Sequence, residues 1–90
     1  MGYQKIDLIL DAWARSHQLY IYRTYRDVEV RSVEVVNRDG KRFQIWIDLP
    51  DSTNRIGVHA WDYKTSRTDI SASPDTLFES LEKAYRSTQD

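Results

Sequence analysis

The chain has 90 residues, 40% hydrophobic and 30% charged, with 13 basic side chains against 14 acidic ones and a net charge of −1. That size and balance describe a single globular domain spanning 1–90 and exclude a disordered chain and a membrane-spanning one; a deep enclosed enzyme cleft is hard to fit in it. With no cysteine, disulfide scaffolds, thiolate metal sites and cysteine nucleophiles are excluded, and packing alone must hold the fold.

The first element reads as a helix. Ile6, Ile9, Leu10, Trp13 and His17 recur at helical spacing and form one apolar stripe. Acidic Asp7 and Asp11 precede Arg15 and His17, an order that suits the helix dipole, with His17 as a cation at the C-terminal end and Gly2 as the N-cap candidate. The same two aspartates interrupt the apolar run, so the start does not read as a signal peptide and a cytoplasmic protein is expected.

The period then changes to two. Residues 19–25 are rich in aromatic and β-branched side chains and read as a strand; Arg26-Asp27 reads as a tight turn. Residues 28–36 form the second strand. Val28 and Val30 are out of phase with Val33 and Val35, which places a bulge at Arg31-Ser32 and returns all four valines to one side. Asn37-Arg38-Asp39-Gly40-Lys41 has the chemistry of a three-residue hairpin loop, with Gly40 in the left-handed position. Val35 then faces Phe43 and Val33 faces Ile45, and Phe43, Ile45, Ile47 and Leu49 share one side.

Residues 50–54 carry turn composition. Residues 55–63 form a fourth strand, with Ile56, Val58 and Ala60 alternating against Gly57, His59, Trp61 and Tyr63. Gly57 marks a bulge or a close backbone approach. Residues 64–72 are polar and read as irregular. Ser73-Pro74-Asp75 opens the last helix, with Ser73 as N-cap and Leu77, Phe78, Leu81, Ala84 and Tyr85 as its apolar stripe.

The order α-β-β-β-β-α, with short connections, gives an α+β two-layer sandwich: a four-stranded antiparallel meander with the N- and C-terminal helices on one face. The expected core is Ile9, Leu10, Trp13, Val28, Val30, Phe43, Ile45, Ile47, Ile56, Val58, Leu77, Phe78 and Leu81.

That arrangement leaves one sheet face without helices. Trp46, His59, Trp61 and Tyr63 fall on it, joined by Tyr20 and Tyr22, with Arg31 and Arg42 at the rim. Two tryptophans on such a face are unusual, because exposed apolar patches mark contact surfaces; the competing structural readings are that loops cover them or that cross-strand ring pairs merely stabilise the sheet. The function expected is a small non-enzymatic protein-interaction domain, either self-associating or docking on a protein partner, with Trp46 and Trp61 as anchors.

Nucleic-acid binding through the same face is the alternative. Residues 15–42 carry seven basic and four acidic side chains, and a flat aromatic sheet can stack bases. Against it stand the overall charge, the acids Asp75, Glu79 and Glu82 on the last helix, and the missing glycines of an RNP1 strand in residues 41–47. An enzyme ranks last. His59 and Asp62 point to opposite faces of a strand, Asp7 and Asp11 read as solvated helix carboxylates, and no glycine-rich phosphate loop occurs. No catalytic residue, metal ligand or cofactor is assigned, and no membrane partner is expected.

Overall fold

Helix α1 (Gln4–Ser16) is followed by five strands, β1 (Ile21–Tyr25), β2 (Val28–Val36), β3 (Arg42–Ile47), β4 (Ile56–Trp61) and β5 (Arg67–Ala72), and by helix α2 (Leu77–Gln89). The computed structural model describes residues 3–64 and 67–89; the N-cap candidate Gly2 lies outside them. The strands form one antiparallel sheet in the order β1-β2-β3-β4-β5. No helix among the described residues is long and apolar enough to cross a membrane.

The α+β sandwich has five strands rather than four. Residues 67–72 pair with β4 in unbroken register from Trp61↔Arg67 to Ile56↔Ala72. Their inward side chains Thr68, Ile70 and Ala72 alternate with outward Arg67, Asp69 and Ser71, but only Ile70 and Ala72 are apolar, so the alternation is faint in the sequence. Lateral pairing with β4 overrides the weak strand propensity of Asp69 and Ala72 at this edge.

The β2–β3 hairpin is as its turn chemistry requires. Asn37 Oδ1 accepts from the backbone N–H groups of Asp39 and Lys41, each at 2.9 Å, and Gly40 adopts φ 81°. Val35 pairs with Phe43 and Val33 with Ile45. The β1–β2 connection is tighter: Arg26 and Asp27 both have positive φ, as a primed two-residue turn demands.

The bulge falls one position earlier than expected. Between Tyr22↔Ser32 and Thr24↔Glu29 the register takes two steps on β1 and three on β2, so the extra residue lies at Val30-Arg31, opposite Arg23. Arg31, not a valine, turns under α1, and the expectation that Val28 and Val30 join the core is corrected: Val28 is 61% exposed and Val30 half-buried. Leu49 and Phe78 are also outside the core, at 50% and 42% exposure.

The core joins Ile6, Leu10 and Trp13 of α1, Val33, Val35, Ile45, Ile47, Ile56 and Val58 of the sheet, and Leu77, Leu81 and Ala84 of α2. Both helices therefore lie on one sheet face. The last helix begins at Leu77 rather than beside Pro74. Residues 73–76 form a turn in which Ser73 N–H donates to Thr76 Oγ1, and the Thr76 carbonyl accepts the first helical bond from Ser80. Trp13 is fully buried, edge-on to His17 and Tyr85; its Nε1–H finds no acceptor among the described residues.

Helix α1 is fastened to the sheet by a polar clamp as well as by packing. Arg31 grips Asp7 through Nε–Oδ1 (2.7 Å) and Nη2–Oδ2 (3.0 Å), donates Nη1 to the Val30 carbonyl (2.8 Å), and lies 4.4 Å from the Tyr3 ring centre. Arg23 holds Asp11 at 2.6 Å. Much of the basic excess in residues 15–42 is thus met by α1 carboxylates. Arg31 hydrogen bonding holds the Asp7 carboxyl below its ordinary value.

Candidate functional site

The sheet face without helices carries its side chains in rows set by the ladder. Tyr22, Ser32, Trp46, His59 and Asp69 form one row across all five strands, and Glu34, Gln44, Trp61 and Arg67 form the next. Trp46, His59 and Trp61 are half-buried and Tyr63 is 42% exposed.

The side chains over Trp46 come from the sheet itself. The His59 ring stacks on its indole, centroids 4.8 Å apart at 24°, and the Arg67 guanidinium lies 5.2 Å from its centre. His59 Nδ1 is 2.6 Å from Asp69 Oδ1 and Nε2 is 2.7 Å from Asp48 Oδ2. Arg67 Nε reaches the same Asp69 oxygen at 2.8 Å. Hydrogen bonds from Arg67 first and His59 second hold the Asp69 carboxyl below its ordinary value.

Gly57 has its reason here. Its pairing is regular, so there is no bulge; a Cβ would lie 2.5 Å from Asp48 Oδ2 and 2.7 Å from His59 Nε2. Only glycine lets that carboxylate cross β4 to the imidazole. Asp62, as its spacing implied, does not meet His59; it is buried and pairs with Lys41 at 3.3 Å. Asp48 and Asp69, 11 and 10 residues from His59, are the partners that sequence reasoning missed. The alternation of Arg67, Asp69 and Ser71 was the available signal.

The other candidates separate. Trp61 lies against Tyr63, ring centres 5.0 Å apart. Tyr63 has φ 69°, a left-handed backbone that costs a bulky residue on the order of 1–3 kcal/mol. Its hydroxyl reaches Glu34 Oε2 at 3.5 Å, and burial together with that carboxylate pushes the phenol up. Arg42 is at the rim as expected, 4.0 Å from Glu34 and 71% exposed along its side chain. Arg31 is not at the rim: the bulge turns it beneath α1, where it is 8% exposed. Tyr20 and Tyr22 are edge-on to each other at 4.9 Å on the β1 margin.

His17 is engaged elsewhere, paired through Nε2 with Glu82 and stacked on Tyr85 at 4.1 Å, so it ties the end of α1 to α2. Among the described residues no group of three or more metal-ligating side chains converges. In this arrangement both nitrogens of His59 are committed to carboxylates. The charges around Trp46 are paired with one another: His59 with Asp48 and Asp69, and Arg67 with Asp69. Comparison of the chain with protein-family models, with curated proteins and with solved structures gives no match.

Proposed function

We propose that the chain is a non-enzymatic interaction domain that binds protein, a second copy of itself or another chain, through the helix-free face of its sheet. The observation that carries this reading is the pair of half-buried indoles, Trp46 and Trp61, whose orientations are held by His59, Arg67 and Tyr63 on a face that neither helix covers. Rings already fixed by their neighbours lose little freedom on binding, and Trp and Tyr dominate the energetics of contact surfaces.

Charge favours protein over nucleic acid. Arg67 is tied to Asp69 and Arg42 stands beside Glu34, so a phosphate backbone on this face would meet carboxylates as often as cations. Trp61 is the residue to change, because it is held by one ring while Trp46 is built into the ion-pair cluster. Trp61→Ser should keep the native circular dichroism and lose the association seen by sedimentation of the wild type across a concentration series. For a wild type that is monomeric throughout, the same variant should fail to retain the protein captured by a wild-type column. A variant that associates or captures like the wild type removes the proposal.

A further inference from the structure

Tyr22 on β1, Tyr25 at the hairpin end and Tyr63 beyond β4 converge on a groove of about 210 Å³, with Ser32, Glu34 and Gln44 in its wall. At roughly 30 Å³ per water it has room for about seven waters, enough for the head and last methylenes of one long side chain. Among the described residues Glu34 is the one ionised group in the lining, beside three tyrosines whose rings can face a cation. Two cations border the groove without lining it: Arg42, 4.0 Å from Glu34, and Arg26, over Tyr25. The backbone strain at Tyr63 is spent in placing its ring and hydroxyl against this carboxylate.

We infer that this groove receives the arginine side chain of a protein partner. A guanidinium is flat, so it can lie on a tyrosine face while its fork meets both oxygens of a carboxylate; an ammonium is a point charge with a strong hydration shell. The molecule uses the first half of this arrangement three times internally: Arg31 over Tyr3 at 4.4 Å, Arg26 over Tyr25 at 5.2 Å and Arg67 over Trp46 at 5.2 Å. Glu34 is weakly engaged, with Arg42 at 4.0 Å and largely in water, so an incoming guanidinium displaces little.

The inference rests on the helix-free face being a contact surface, and it names what the partner brings there. The test is titration of the ¹⁵N-labelled protein with the peptide acetyl-Gly-Arg-Gly-amide, followed by amide and tyrosine-ring shifts. Saturable shifts should concentrate at Tyr22, Tyr25, Glu34, Gln44 and Tyr63, with a dissociation constant in the millimolar range, as suits one side chain. The citrulline peptide (same shape, no charge) and the lysine peptide should each bind about fivefold more weakly or worse. Glu34→Gln, at an exposed position that leaves the fold intact, should weaken the arginine peptide by a similar factor, and Tyr63→Phe should retain binding that Tyr63→Ser loses.

Shifts scattered over the surface, equal binding of the citrulline or lysine peptide, or indifference to Glu34→Gln would overturn it. A failed titration beside a Trp61-dependent association removes the groove and leaves the wider reading standing. A bound arginine peptide on a chain that neither associates nor captures protein through Trp61 does the reverse.

Discussion

The helix-free face has two halves that treat their aromatic rings differently. Over β3, β4 and β5, Trp46 is stacked on His59, roofed by Arg67 and ringed by Asp48 and Asp69. Over β1 and β2, Tyr20, Tyr22 and Tyr25 stand 50–72% exposed; Glu34 lines the groove with Tyr22 and Tyr25, and Arg26 over Tyr25 is their only cationic roof among the described residues. The same residue types serve two ends. The ring of Trp46 finds a cation within the chain, whereas of the tyrosines over β1 only Tyr25 has one among the described residues; on the proposed reading Tyr22 and Tyr25 take a further cation from a partner, beside the two indoles.

Substitutions can break or sharpen that contrast. Arg31→Met should have the largest effect, about 3 kcal/mol in chemical denaturation, because it takes from the half-buried Asp7 of α1 its two-bond partner, leaving it only Arg23 at 3.3 Å, and removes the donor to the Val30 carbonyl at the bulge. Trp46→Ala should cost about 2 kcal/mol by losing half-buried area and the imidazole stack. Gly57→Ala should cost about 1 kcal/mol, since the exposed Asp48 side chain can swing aside. Its specific signature is loss of the Asp48–His59 contact in the His59 imidazole NMR signals while the β3–β4 register persists. Tyr22→Ala and Glu34→Gln should stay within about 0.5 kcal/mol of the wild type, because the groove half contributes little to the fold. A Tyr22 variant as damaging as the Trp46 variant would erase the contrast.

Acid gives a last, smaller handle. Asp7 and Asp69 have carboxyls held below their ordinary value of 3.8 in the folded protein. Their contributions are therefore fully present above that value and lost as pH falls through the depressed one. Urea midpoints should decline on going from about pH 6 to about pH 3, and Asp7→Asn should flatten the decline more than Asp69→Asn, whose carboxylate lies in solvent.

Elements whose local chemistry and periodicity agree were legible in the sequence. The Asn37–Lys41 loop and the Phe43/Ile45/Ile47 face needed only turn residues and alternation, and the helical period gave the stripes of both helices, apart from Phe78, which is exposed. The phase of Trp46 against Trp61 followed from the same alternation, since both fall opposite the apolar positions of their strands. Strand β5 was missed although Thr68, Ile70 and Ala72 alternate with Arg67, Asp69 and Ser71 at the strand period, because only Ile70 and Ala72 of the six are apolar and the stretch reads as polar until its neighbour β4 is in place. The partners of His59 were hidden for a related reason: Asp48 and Asp69 reach it only through lateral register. Tyr63 was placed correctly on the helix-free face, but its meeting with Tyr22 and Glu34 depends on a left-handed turn that no pattern of apolar residues encodes.

The seam between α1 and α2 has a consequence for how the molecule assembles. Trp13 and His17 near the end of α1 meet Tyr85 and Glu82 of α2, so the first element in the chain completes its cover with the last. The meander between them can pair strand by strand through neighbouring hairpins, but the indole of Trp13 stays wet until α2 arrives. The contact that closes this seam joins residues 65 apart in sequence, and closing a loop of that length costs more chain entropy than pairing neighbouring hairpins does.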